Sequence, residues 1–94
     1  MDLLQEIKKR LNITGDFHNE SLMGHAADAK EYLLSAGVKP AVIESKKSIS
    51  VIARGVADLW NLGAGDGKFS EVFYQRAIQL TFEKVENVQT ETTV

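Results

Sequence analysis

Apolar residues recur at spacings of three and four through most of this 94-residue chain, the period of amphipathic α-helices. Leu3, Leu4, Ile7 and Leu11 share one face of a short helix over 2–11. Asp2 is placed to cap its start, and Lys8, Lys9 and Arg10 lie near its end, where positive charge suits the helix dipole. Asn12-Ile13-Thr14-Gly15-Asp16 ends it, with Gly15 as the breaker. A second helix over 19–36 carries the stripe Leu22, Ala26, Ala29, Leu33, flanked by Met23 and Tyr32 and capped by Asp16 or Asn19. Its small alanines allow a neighbouring helix to approach closely. Gly37 fits the position just past its end, and Pro40 follows.

The strongest pattern is Ile49, Ile52, Ala53, Val56, Leu59 and Trp60, which predicts a central helix over 41–61 with a weak first turn at 41–44. Ser48-Ile49-Ser50-Val51 alternates as a strand would, but the period turns helical at Ile52. A fourth helix over 70–86 places Phe69, Val72, Phe73, Ala77, Leu80 and Thr81 on one side, with Ile78, Phe82 and Val85 on another. That apolar arc is wider than one neighbour needs. From Asn87 to Val94 the composition is polar and predicts a flexible tail. The expected fold is all-α: a small bundle of about four helices over 1–86, with a glycine-rich turn between the last two and a flexible polar C-terminal tail over 87–94.

Composition narrows the function. The chain has 44% hydrophobic and 26% charged residues, as a globular domain does. Its formal net charge of −2 argues against a protein whose main task is gripping a nucleic-acid backbone. Without cysteine, disulfides, thiolate chemistry and Cys-ligated zinc are excluded. No apolar run approaches the roughly 18 residues a membrane span requires, and Met1-Asp2 leads straight into an amphipathic segment. A soluble protein without a signal peptide, made or assembled inside a cell, is expected.

The segment NLGAGDGKFS over 61–70 invites comparison with phosphate-binding loops. A G-x-x-x-x-G-K-[ST] loop fails, because Phe69 follows Gly67-Lys68 and Leu62 stands where the first glycine belongs. The dinucleotide pattern fails as well, since Gly63, Gly65 and Gly67 are spaced G-x-G-x-G after a helix rather than a strand. A hinge accounts for them better: Gly63 closes the third helix, Gly65 and Gly67 make the reversal around Asp66, and Ser70 caps the fourth helix with Glu71 in its first turn. His18 and His25 lack a third partner for a metal, and partly packed histidines are expected. No nucleophile elbow is present. Trp60 reads as a core anchor that also suits the edge of a subunit interface. Lys8-Lys9-Arg10 and Lys46-Lys47 are the only basic clusters. They leave a small helical DNA-binding regulator as the alternative function, although the third helix offers mainly core residues to a DNA groove.

The block IARGVADLWNLGAGDGKFSEVFYQRAIQL over 52–80 resembles the head–tail connector (head-completion adaptor) proteins of tailed bacteriophages and prophages. The likeness is carried by Arg54, Gly55, Asp58, Leu59, Trp60 and Asn61, then Gly63, Gly65, Gly67, Lys68 and Ser70. LLQEIKKRLNITGDFHNESL and AKEYLLSAGV are similar to the family's first helix and the end of its second, so the resemblance spans about 2–85. It implies a helical subunit, with no catalytic activity and no cofactor, forming a ring that is usually twelve-fold. The ring sits beneath the portal in the virion, at the head–tail junction, after assembly in the bacterial cytoplasm. It extends the DNA channel and docks head-closure or tail proteins, and DNA passes through without sequence-specific binding. A mildly acidic wall suits that passage. Ile78, Phe82, Val85 and Trp60 are expected at subunit interfaces, with the second helix on the opposing face. The tail, including Asn87, Val88 and Val94, is expected to order against the portal.

Overall fold

The computed structural model describes residues 3–62 and 69–84. Among them five α-helices follow one another: α1 Leu3–Leu11, α2 Asn19–Ser35, α3 Pro40–Ile43, α4 Ile49–Leu62 and α5 Glu71–Leu80, with a 3₁₀ turn Lys46–Ser48 before α4. No strand occurs among the described residues, and the fold is the all-α bundle that the periodicity predicts. No helix among them is long and apolar enough to cross a membrane.

Helix α4 is the centre, packed against α1, α2 and α5. Its Val51, Ile52, Ala53 and Val56 are buried, facing Ile7 of α1, Leu22, Ala26, Ala29 and Leu33 of α2, and Phe73, Ala77 and Leu80 of α5 in one core. The α2 stripe is the one its spacing predicts. Phe73 is fully enclosed, and burying a side chain of that size contributes roughly 1.5–3 kcal/mol.

The helix ends depart from expectation in instructive ways. α1 is closed by Asn12, not Gly15. Asn12 has φ 60°, and the N–H of Ile13 reaches back to the carbonyl of Lys8 at 2.9 Å, which is the Schellman arrangement. Asparagine tolerates this left-handed position better than most residues. α2 ends the same way, with Gly37 at φ 104° and the Val38 N–H on the Leu33 carbonyl at 2.9 Å. At its start the capping position falls to His18, whose side chain makes no cap bond. Asp16 and Asn19 are engaged otherwise: the Asp16 carboxylate accepts from Lys8 Nζ and from Asn19 Nδ2, each at 3.2 Å. Lys8 lays its stem in the core and brings its charge out to Asp16, tying α1 to the entry of α2.

The predicted helix over 41–61 is broken in two. Pro40 opens α3 at its first turn, where a proline has no N–H to lose. The chain then breaks at Glu44-Ser45. Ser45 Oγ accepts the N–H of Lys47, and the buried Ser48 hydroxyl donates to the Ile43 carbonyl at 2.5 Å. These local side-chain bonds satisfy backbone groups that a continuous helix would have used. α5 is shorter than predicted, ending at Leu80 with Thr81 as its C-cap.

Candidate functional site

Four of the residues singled out in the sequence, Arg54, Gly55, Asp58 and Ser70, lie at the junction of α4 and α5. Asp58, four residues after Arg54 and so on the same helix face, is 8% exposed. Its Oδ2 accepts the backbone N–H of Ser70 at 2.9 Å, while Oδ1 lies 3.4 Å from Arg54 Nε. Ser70 in turn caps α5 as predicted, its Oγ accepting the N–H of Phe73 at 3.2 Å. One carboxylate on α4 thus holds the cap residue of α5.

Gly55 sits on the neighbouring face of α4, pressed between two helices. A Cβ there would lie 2.7 Å from Phe73 Cε1 and 3.1 Å from Ala29 Cβ. The close approach expected from the alanines of α2 is realised at this glycine. Arg54, Gly55, Asp58 and Ser70 are thereby accounted for as packing and capping residues. Gly63, Gly65, Gly67 and Lys68 lie outside the described residues, as do Val85, Asn87, Val88 and Val94.

Two aromatic groups flank this junction. Phe69 stacks on Phe73 at a ring-centroid distance of 4.2 Å, with Tyr32 tilted and Tyr74 edge-on against them. On the other side, Trp60 takes His18 edge-on at 4.8 Å and His25 at 6.4 Å, and Phe17 stands against His18 while 91% exposed itself. Both histidines are partly packed on Trp60 rather than paired with metal ligands. Among the described residues no three side chains of ligand type come together.

Of the described residues expected at subunit contacts, Ile78 and Phe82 lie apart from Trp60. α5 runs antiparallel to α4: it starts beside Asp58 and ends where Lys47 Nζ bonds Glu83 Oε1 at 2.9 Å and the Lys84 carbonyl at 2.7 Å. Ile78 and Phe82, 60% and 79% exposed, therefore sit toward the Lys47 end. Trp60 lies at the other end of α4, roughly 16 Å away at 1.5 Å per residue from Ile49.

A feature that no local pattern announces is a cleft of about 300 Å³ between α1, α4 and α5. Its floor is Ser50, Ala53 and Ala57 of α4, its apolar walls are Leu11 and Val72, and Arg10, Arg54 and Arg76 line it. Val72, on the same predicted side of the helix as the buried Phe73, is 45% exposed here. Arg10 is held loosely by Glu6 at 3.8 Å, and Arg76 has no ion-pair partner among the described residues. The three guanidinium groups come from three helices distant in sequence, so only the fold could bring them together.

Comparison with protein-family models, with curated proteins and with solved structures finds no match to this chain.

Proposed function

We propose that this chain is a structural subunit of a phage head–tail connector, assembling as a ring beneath the portal, extending the DNA channel and docking head-closure or tail proteins. The observation that carries the reading is the α4–α5 junction. Four of the residues on which the resemblance rests, Arg54, Gly55, Asp58 and Ser70, serve there in packing and capping.

Surface chemistry supports an assembling protein. Phe17, Ile78 and Phe82 are large apolar side chains left mostly exposed, and a second surface covering them would remove that apolar area from water. In this reading Ile78 and Phe82 meet a neighbouring subunit or the portal. The regulator alternative gains nothing from α4, the helix that would have to enter a DNA groove, because Val51, Ile52, Ala53 and Val56 are buried.

Native mass spectrometry of the chain alone and with its cognate portal protein tests the proposal. Ring-sized species, or chains captured on the portal, are the expected result. Neither self-association nor portal capture under any condition would overturn it, and salt-dependent binding to duplex DNA would favour the regulator instead.

A further inference from the structure

We propose that the outer face of α2 in one copy docks into the three-arginine cleft of the next copy. The proposal rests on the ring reading above and names the contact that would build it.

The two surfaces match in charge and in shape. Glu20, Met23, Ala27, Glu31 and Leu34 follow one another along α2 at spacings of three and four, with Asp28 beside them, and all are exposed. This is an acidic helix face carrying apolar side chains, Met23 at 40% and Leu34 at 48% exposure. None of its three carboxylates has an ion-pair partner among the described residues of its own subunit. The cleft presents the complement: three arginines, apolar walls at Leu11 and Val72, and a floor of small side chains that lets a helix come close. Glu6 and Asp58 pair with Arg10 and Arg54 from beside the cleft, which leaves Arg76 as the arginine without an ion-pair partner among the described residues.

Placement decides what such a contact makes. Gly55 of α4 meets Ala29 on the inner side of α2, whereas Ser50, Ala53 and Ala57 form the cleft floor. At 3.6 residues per turn these lie roughly half a turn apart around α4. The acidic face and the basic cleft are therefore on opposite sides of one subunit. A copy that offers its α2 to a neighbour keeps its own cleft open for another, so the contact is heterologous and repeats until the rotation closes a ring.

Sedimentation velocity over a concentration series reaching the millimolar range, at low and high salt, tests this with full-length chains. Self-association that weakens with salt is expected, since exposed charges are screened. Arg76→Glu and Glu31→Arg alter exposed side chains without an ion-pair partner, so both variants should keep the wild-type circular dichroism. Each alone should weaken association by about tenfold or more, because like charges then face each other. Mixed in equal amounts they should assemble again. Copies of the two variants would alternate, so that the introduced glutamate meets the introduced arginine at one contact and the original residues meet at the next. A wild-type chain that stays monomeric throughout, variants that associate as wild type does, or a mixture that fails to recover would each overturn the proposal. Portal capture that persists in any of those cases would leave the connector reading standing, and its loss in the wild-type chain would sink that reading instead.

Discussion

Asp58, near the end of α4, accepts the backbone N–H of Ser70 at 2.9 Å, and so holds the residue whose own hydroxyl caps α5. The acceptor is charged and almost enclosed, and a hydrogen bond of that kind contributes about 1.5–3 kcal/mol. Asp58→Ala should lower the unfolding free energy in urea by that amount, and Asp58→Asn, which keeps an acceptor, by less. Arg54→Ala should matter by less than about 1 kcal/mol, because half-exposed ion pairs contribute little. Equal losses for the two alanine variants would mean that the ion pair, rather than the cap, holds the junction.

Gly55→Ala sets two effects against each other. Alanine favours the helix by about 1 kcal/mol over glycine. The added methyl, however, meets the ring of Phe73, which is fully enclosed and has nowhere to retreat. Overpacking of this kind costs roughly 1–3 kcal/mol, so a net loss in thermal stability is expected. Phe73→Leu in the Gly55→Ala background should be less destabilising than the two changes added separately, a coupling that a double-mutant cycle reads directly.

The hydrogen bond from Lys8 and then that from Asn19 hold the Asp16 carboxyl below the usual aspartate range, and the Lys8 charge acts in the same direction. A carboxyl lowered by folding adds stability that is present above its unfolded pKa of about 3.9 and is lost as pH falls through the folded value. Wild type should therefore exceed Asp16→Asn in melting temperature at neutral pH, and the gap should close in acid. A gap that stays constant down to the acid transition would contradict the Lys8 contact.

Ile78→Ser together with Phe82→Ser should leave stability nearly unchanged, within about 0.5 kcal/mol for each exposed site. The same pair should reduce assembly or portal capture in native mass spectrometry. Undiminished assembly would remove this flank of α5 from the interface.

The helices that pack by a simple stripe are legible in the chain: Leu22, Ala26, Ala29 and Leu33 describe α2 without any coordinates, and Ser70 announces the start of α5. The break at Glu44-Ser45 escapes a reading by hydrophobic period, because local hydrogen bonding decides it. Pro40 at a first turn, followed by Ser45 and Ser48, is the available signal for a stop and a restart. Gly15 masks Asn12 as the end of α1, although both turn left-handed. The link from Asp58 to Ser70 spans twelve positions, and the arginine cleft joins three helices, so neither has a sequence-local period to find.

The two fastenings of α5 are unequal. At its start the Asp58 carboxylate is 8% exposed, whereas at its far end Lys47 and Glu83 are each nearly half open to water. Solvent competes for the second and hardly reaches the first. The α4–α5 pair is thus a zipper with one strong tooth: amide exchange should run inward from Thr81, and the last protons to leave should be those nearest Phe73.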